Sequence, residues 1–219
     1  MQKSDLIKLV YFDFNFWRVD VCKLTLAIGK IPFENKIVSK RYFIINKESD
    51  EFPFGQVPLL HVNEKIIAQT SAMIRYCGKI TGLYPSDIFE CALVDQTIDF
   101  ANDVTNLIIP SIREQDLKRK KIKREELNNK ILPKWLSYLE RFLKNNNCSN
   151  FFITNKLTIA DIIVWRILLW LTSGKLEHIS IDLKLKYPLL NNYYFFISNF
   201  TRLTSLKDFS QIVSNQINH

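Results

Sequence analysis

Glycine and proline are scarce in this sequence, with five and seven occurrences among 219 residues. A long flexible linker is built from such residues, so their scarcity excludes one. Cysteine and histidine are also few: the four cysteines form no C-x-x-C pair, and the three histidines lie at no spacing suited to zinc. We therefore expect no metal site, and we expect Cys22, Cys77, Cys91 and Cys148 to be thiols without disulfides, as in a reducing compartment.

Long hydrophobic runs are missing as well. The first ten residues, MQKSDLIKLV, contain no hydrophobic signal core, and the most apolar segment, residues 159–171, is interrupted by Asp161 and Arg166. A membrane-spanning helix needs about 20 mostly apolar residues in succession. We therefore expect a cytoplasmic protein that does not span a membrane.

Part of the net charge of +8 comes from one run, REQDLKRKKIKREE, at residues 113–126, where seven basic and four acidic residues give +3. Acids and bases alternate there at helical spacing, and no aromatic residue interleaves for base stacking. The run therefore favours a solvated helix face over an RNA-binding strip, and we expect neither nucleic acid nor membrane as a partner.

The first 84 residues mix two periodicities, with an overall content of 47% hydrophobic residues that predicts a packed core. Apolar, β-branched runs predict strands, and three-to-four spacing predicts helices, the second of them capped by Thr70 or Ser71. The predicted strands are 6–12, 33–39, 57–62 and 65–69, and the helices are 18–30 and 71–82. Residues 41–52 read as an irregular polar stretch, either an irregular helix or a loop.

The spacing of apolar residues turns helical throughout after the LYPSD stretch at residues 83–87. It predicts helices over 89–112, 127–146 and 157–173. The last begins with Thr158 and Asp161 in the relation of a capping box, with Leu157 and Ile162 placed as a hydrophobic staple. The chain therefore divides into an α/β domain at 1–84 and an all-helical domain at 91–219.

Pro58 opens the predicted strand VPLLHV, where its missing N–H would weaken a sheet unless it stands at the start. A cis X-Pro bond at that place makes a sharp, fixed entry turn. The turn presents the backbone of Val57, which can pair with an extended peptide. The motif suggests a site for a small peptide.

Four stretches resemble the cytosolic glutathione S-transferases, especially their Tyr-dependent pi-like and sigma-like groups. They are LVYF with an arginine seven residues after the tyrosine, FGQVPLL, AQTSAMIRY and LVDQTIDFANDV, and LTIAD fits the cap of the family's central helix. The resemblance implies an α/β plus all-α fold, with a thioredoxin-like βαβ-α-ββα domain, a cis Pro58 and a helical C-terminal domain. It also implies a homodimer that uses glutathione as co-substrate and needs no cofactor.

The resemblance implies that Tyr11 is the catalytic tyrosine, whose hydroxyl stabilises the glutathione thiolate. No serine or cysteine stands at that place, which argues against the serine- and cysteine-dependent branches. Arg18 matches an arginine of the family's first helix that can steady the thiolate. A surface arginine paired with Asp20 is the alternative.

The remaining glutathione contacts are also carried over from the family. Gln69 and Thr70 match its Gln-Ser pair, whose side chains and helix N-terminus suit the γ-glutamyl carboxylate. Gln56 lies beside the tripeptide, Val57 and Pro58 hold its cysteinyl unit, and Lys47 takes the glycyl carboxylate, with Lys40 and Arg41 as competing candidates. Asp103 reaches the γ-glutamyl amine of the neighbouring subunit, with Asp99 as its competitor.

The loop after Tyr11 departs from the family, since FDFNFWR is one residue longer and lacks glycine. Its aromatic residues either wall the pocket for the second substrate or fill it. The expected lining is Phe12, Phe14, Phe16, Trp17 and Ile108, completed by residues around 104–112 and the C-terminal tail. The expected function is conjugation of glutathione to small hydrophobic electrophiles. The alternatives are a weakly catalytic protein that binds apolar ligands such as haem, a protein-assembly module, or an isomerase of prostaglandin-like substrates.

Overall fold

The computed structural model describes residues 5–146 and 150–203. The chain divides into two compact units, Met1–Pro85 and Ser86–His219. Cys148 lies outside the described residues, and Cys22, Cys77 and Cys91 form no disulfide with one another.

The N-terminal unit is a four-stranded sheet with three helices. Its elements are β1 (Ile7–Tyr11), α1 (Trp17–Ile28), β2 (Glu34–Ile37), α2 (Lys40–Asn46), β3 (Leu59–Val62), β4 (Lys65–Ala68) and α3 (Thr70–Ile80). The strand order is β2-β1-β3-β4, with β2 parallel to β1 and the other two pairs antiparallel. This arrangement confirms the predicted thioredoxin-like order.

Helices α1 and α3 pack against each other through their apolar residues. Their C-terminal ends approach so closely that a Cβ on Gly29 would lie 2.4 Å from Cγ2 of Thr81. Only glycine fits this position without displacing its neighbour. Gly29, the C-cap residue of α1, thus allows the two helices to meet.

Helix α2 lies mostly in the stretch at 41–52, where the sequence left an irregular helix or a loop open and the family resemblance implied a helix. Ser39 caps it, since the Ser39 hydroxyl accepts a hydrogen bond of 3.1 Å from the backbone N–H of Tyr42. None of its seven residues is fully buried. A single inward residue, the half-buried Phe43, packs on the core cluster of Val10, Val38, Phe52 and Leu59.

The cap predicted for α3 is wrong. The N-cap residue is Gln69, with φ of 70°, and its side chain makes no capping hydrogen bond. Thr70 is the first helical residue instead. A positive φ at a non-glycine residue is uncommon. Residue type therefore did not mark Gln69 as the N-cap, and the apolar spacing does not define the first residue of α3.

The C-terminal unit is all helical. Its elements are α4 (Ile88–Arg113), α5 (Leu117–Glu126), a π-helical turn (Leu127–Ile131), α6 (Leu132–Asn145), α7 (Ile159–Leu171), a 3₁₀ turn (Leu183–Lys186) and α8 (Pro188–Leu203). The helix predicted over 127–146 corresponds to the π turn and α6. It directly follows α5, which contains most of the basic run. Pro133 has no N–H to offer to the preceding turn, which accounts for the irregular pairing in the π turn.

Helix α7 is the centre of this unit, because every residue of it except Leu169 is buried. The capping box of Thr158 and Asp161 is present, and Leu157 and Ile162 are buried beside it. The Asp161 carboxylate accepts hydrogen bonds from the backbone N–H groups of Phe152 and Thr158, at 2.6 and 2.8 Å. It thus joins the preceding loop to the helix.

None of the helices in the described part of the chain combines the length and apolarity that crossing a bilayer requires.

Candidate functional site

At one edge of the sheet in the N-terminal unit, β1 and β4 end and β3 begins. Val10 of β1 lies opposite Leu59 of β3, and Leu59 lies opposite Ala68 of β4. The residues next to this row on the three strands are Tyr11, Pro58 and Gln69. Pro58 and Gln69, which are far from Tyr11 in the sequence, therefore lie with it at the edge where β1 ends.

Tyr11 is the last residue of β1 and is half-buried. Its ring lies between aromatic neighbours, with centroids 5.6 Å from that of Phe12 and 5.1 Å from that of Phe14. Burial raises the pKa of Tyr11 well above its ordinary value, and the positive charge of Arg18 opposes this rise. The phenol therefore keeps its proton at neutral pH and can donate a hydrogen bond.

Arg18, in the first turn of α1, places a partly desolvated cation near Tyr11. Its Cζ lies 6.0 Å from the ring centroid of Phe16 and 5.9 Å from that of Trp17. Its Nε is buried and has no hydrogen-bond partner among the described residues. Burial lowers the pKa of Arg18, and the interaction with Tyr11 raises it. A cation in this position favours negative charge nearby.

Asp20 also affects the electrostatic environment of Tyr11. The sequence analysis did not predict this role. Its side chain is fully buried in the first turns of α1, and its charge adds to the rise in the pKa of Tyr11. The sequence analysis named Asp20 only as a possible ion-pair partner of Arg18. The one available signal was its place on the apolar face of the helix.

Val57, which precedes β3, has a backbone that pairs with none of the described residues. The Val57–Pro58 bond is cis. The Val57 side chain packs against the core cluster, while its N–H and C=O enter no backbone hydrogen bond within the described residues. An extended peptide could pair with them as a neighbouring strand would. Gln56, which precedes it, is exposed.

The N-terminus of α3 lies beside this backbone. Gln69 is exposed and Thr70 is 9% exposed. The side chain of the N-cap residue makes no capping hydrogen bond, and the N-terminus of a helix favours an anion. This end of the helix is suited to a carboxylate.

The structure does not select one cation for the glycyl carboxylate. Lys40 and Arg41 begin α2, Lys47 directly follows it, and all three side chains are exposed. The Lys47 ammonium lies 3.4 Å from a carboxylate oxygen of Glu48. The assignment to Lys47 stays a prediction.

The aromatic loop after Tyr11 is only partly exposed. Phe14 is 49% exposed, whereas Phe12 is half-buried against the core cluster, and Phe16 is half-buried beside Trp17. Trp17, expected on the pocket wall, is fully buried. As the first residue of α1, it belongs to the packed face of that helix and to the core.

The predicted contributors from the second unit lie on α4. Asp103 and Asp99 are exposed one turn apart. Ile108, expected to line the pocket, is fully buried, because it continues the apolar stripe of Val104 and Ala101 into the core of its unit. The C-terminal tail beyond residue 203 lies outside the described residues.

Within the described parts of the chain, no group of three or more His, Cys, Asp or Glu side chains could hold a metal ion.

Comparison with known proteins identifies the family. Residues 102–209 match the family profile described as "Glutathione S-transferase, C-terminal domain". Glutathione S-transferase 2 of Manduca sexta is 37% identical over 140 residues, which cover 64% of this chain and 67% of that protein. The hematopoietic prostaglandin D synthase of Gallus gallus is 31% identical over 183 residues, which cover 84% of this chain and 85% of that protein. The chain belongs to the glutathione S-transferase family.

A solved structure agrees with this assignment. The prostaglandin synthase D of Nilaparvata lugens superposes with a TM-score of 0.77 at 29% identity, over 89% of this chain and 92% of that one. The glutathione S-transferase fold is thereby confirmed, with its thioredoxin-like and helical domains. Membership of the family makes the chain a transferase enzyme.

Proposed function

We propose that this glutathione S-transferase conjugates the thiolate of glutathione to small hydrophobic electrophiles, with the Tyr11 hydroxyl stabilising the thiolate. One observation carries the proposal: Tyr11 ends β1 as a protonated phenol near the Arg18 cation, at the edge where Val57 and α3 offer peptide and carboxylate contacts.

The chemistry depends on ionising a thiol. A free cysteine thiol has a pKa of about 8.5, so only a few per cent is thiolate at neutral pH. Each unit by which the site lowers this pKa requires about 1.4 kcal/mol of preferential interaction with the anion. A hydroxyl donor to sulfur and a nearby cation supply interactions of that size in a partly dry site. The thiol proton leaves to solvent, the sulfur bonds to the electrophilic carbon, and the leaving group departs with its bonding electrons.

The contacts to the tripeptide follow the same edge of the sheet. Gln69, Thr70 and the α3 N-terminus bind the γ-glutamyl carboxylate. Val57 pairs with the cysteinyl unit, with Gln56 beside it. Lys47 binds the glycyl carboxylate, and Asp103 binds the γ-glutamyl amine in the partner subunit of a homodimer.

This assignment places the chain in the Tyr-dependent group, related to the sigma and pi enzymes. Glutathione is then a co-substrate, and no cofactor is required. We further propose a cytoplasmic location, with no nucleic-acid or membrane partner.

Two other functions have specific support. The Gallus gallus relative is named a hematopoietic prostaglandin D synthase and the Nilaparvata lugens protein a prostaglandin synthase D, which favours an isomerase of prostaglandin-like substrates as the second candidate. The longer, glycine-free loop with an exposed Phe14 favours a binder of apolar ligands such as haem, or an assembly module, with little catalysis.

The discriminating experiment is conjugation of 1-chloro-2,4-dinitrobenzene by the purified protein and by Tyr11→Phe. We expect the variant to lose about ten- to a hundred-fold in kcat/KM, as removal of one hydrogen bond to a charged group predicts. Equal rates would remove Tyr11 from the mechanism. No rate in either protein, together with retention on immobilised glutathione, would instead indicate the binder.

A further inference from the structure

A chain of aromatic rings connects α2 to the phenol of Tyr11. The ring of Phe43, on α2, meets that of Phe12 edge to face, with centroids 5.4 Å apart. Phe12 adjoins Tyr11 at 5.6 Å and stacks on Phe14 at 6.0 Å, and Phe14 meets Tyr11 edge to face at 5.1 Å. Ring contacts of this kind are attractive and depend on orientation. The position of Phe43 therefore acts on the rings that surround the phenol.

Helix α2 is attached to the sheet by few contacts. Five of its seven residues are exposed, and the half-buried Asn46 donates from its side chain to the Tyr42 carbonyl within the helix. Phe43 is the other half-buried residue, and its edge-to-face contact with Phe52, at 5.2 Å, joins it to the core cluster. An element with few buried contacts opens locally before the rest of a fold. The docking of α2 on the sheet therefore depends on Phe43.

The backbone gives a second link between α2 and Tyr11. The Val38 N–H donates to the Tyr11 carbonyl at 2.9 Å, and the next residue, Ser39, caps α2. A change in the position of α2 thus reaches Tyr11 through its main chain as well as its ring. A hydrogen bond weakens steeply when its donor is misaligned. The Tyr11 hydroxyl can therefore serve a bound sulfur well only while α2 is docked.

Helix α2 also carries the cations expected to meet the far end of the tripeptide. Lys40 and Arg41 lie in its first turn, and Lys47 directly follows it. A ligand carboxylate that pairs with any of these groups would hold α2 in place. A ligand shifts a conformational equilibrium through such a preference for one of its states.

We propose that Phe43 is a positioning residue that couples binding of the glycyl carboxylate at α2 to the orientation of the Tyr11 hydroxyl. This inference rests on the proposed function, since it takes Tyr11 as the donor to the glutathione thiolate. It adds that the glycyl end of glutathione promotes ionisation of the thiol in addition to its contribution to affinity.

The test compares glutathione with glutathione monoethyl ester, in which the glycyl carboxylate is uncharged and the rest of the tripeptide is unchanged. The full chain is saturated with each compound, and the pKa of the bound thiol is measured by thiolate absorbance relative to the same compound free in solution. In the wild type, we expect glutathione to show the larger lowering, by about half a unit to one unit, the size of one aromatic pair.

The variants act on the ring contact alone. Phe43→Leu keeps an apolar side chain without the ring, and we expect the two compounds to show the same lowering in it. Phe43→Tyr keeps the ring and should restore the difference. Ile45→Ala is the control, because Ile45 is 70% exposed on the same helix, and it should behave as the wild type does.

Two results would overturn the coupling: equal lowering for both compounds in the wild type, or a difference of wild-type size in Phe43→Leu. If Phe43→Leu does not fold, as judged by circular dichroism, Phe12→Leu removes the same contact from the sheet side, and a wild-type difference there would also overturn it. Tyr11→Phe separates this inference from the proposed function. An unchanged thiol pKa in that variant would reject both, whereas a raised one together with either adverse result would reject the coupling alone.

Discussion

The individual residues that matter most are Tyr11 and Arg18, because they act on charge at the end of β1. Burial alone would make Tyr11 a simple core aromatic with a raised pKa. Arg18 changes this environment, since its charge lowers the pKa of Tyr11 and favours an anion in the same place. A thiolate accepting a hydrogen bond from Tyr11 would be stabilised by the same cation.

Arg18→Met should raise the pKa of the bound thiol, because the variant removes a cation that favours the anion. The acid limb of the kcat/KM profile should then move to higher pH by about half a unit to one unit. Arg18→Lys keeps the charge without the planar fork and should restore part of the shift. The measurement is conjugation rate against pH.

An acid limb at the same pH in Arg18→Met and in the wild type would contradict this role. Asp13→Asn is the matched control, because Asp13 is an exposed charge in the same loop. It should leave the profile unchanged.

Among the elements, α7 holds the helical unit together through its N-terminal cap. From described residues, the Asp161 carboxylate accepts four hydrogen bonds. The donors are Phe152 N–H, the Thr158 N–H and hydroxyl, and the Tyr193 hydroxyl. Burial raises the pKa of Asp161, and these bonds oppose the rise. Burying the Asp161 carboxylate therefore costs desolvation free energy, and removing it leaves its buried donors without an acceptor.

Asp161→Ala should destabilise the protein by about 3–5 kcal/mol, because it leaves several buried donors without an acceptor. For a chain of this length, that corresponds to a fall in Tm of about 10 °C. The comparison is Asp87→Ala, which removes the exposed cap of α4 and should cost about 1 kcal/mol. Similar losses in the two variants, measured by thermal and urea unfolding, would show that the buried network has no special role.

The sequence predicted elements whose periodicity is strong and whose apolar face is buried. Strand β1 and helix α7 belong to this group. The residues alone left α2 open as an irregular helix or a loop, because it buries none of its seven residues fully and no apolar stripe marks it. The α3 cap was assigned to the wrong residue because the positive φ of Gln69 leaves no signature in residue type.

The sequence predicted which residues lie at the candidate site better than it predicted which of their side chains are exposed. Matching motifs gave Tyr11, Val57 and Gln69, which the strand register brings to one edge. The same matching put Trp17 and Ile108 on a pocket wall, although both are fully buried. A motif aligns residues along the chain, but the packing of each helix decides which side chains reach a surface.

At the scale of the whole molecule, the proposed site is complete only in a dimer. Asp103 is exposed on α4 of the helical unit. The proposal assigns it to the γ-glutamyl amine bound by the partner subunit. Catalysis would then depend on assembly, and the native mass should be twice the 25.8 kDa of one chain.

Asp103→Ala should weaken glutathione binding by about ten-fold, or about 1.4 kcal/mol, while leaving the dimer and the unfolding transition intact. Asp99→Ala, one turn earlier on the same helix, serves as the control and should bind glutathione normally. Calorimetric titration with glutathione and sedimentation equilibrium give the two readouts. Unchanged affinity in Asp103→Ala, or a monomeric wild type, would contradict the cross-subunit contact.

The most direct test of the account is the ionisation of enzyme-bound glutathione, followed by the ultraviolet absorbance of the thiolate during a pH titration. The account predicts a thiol pKa in the wild-type complex at least about one unit below that in the Tyr11→Phe complex, equivalent to about 1.4 kcal/mol. Coincident titration curves for the two complexes would contradict it, because the phenol would then contribute nothing to the anion.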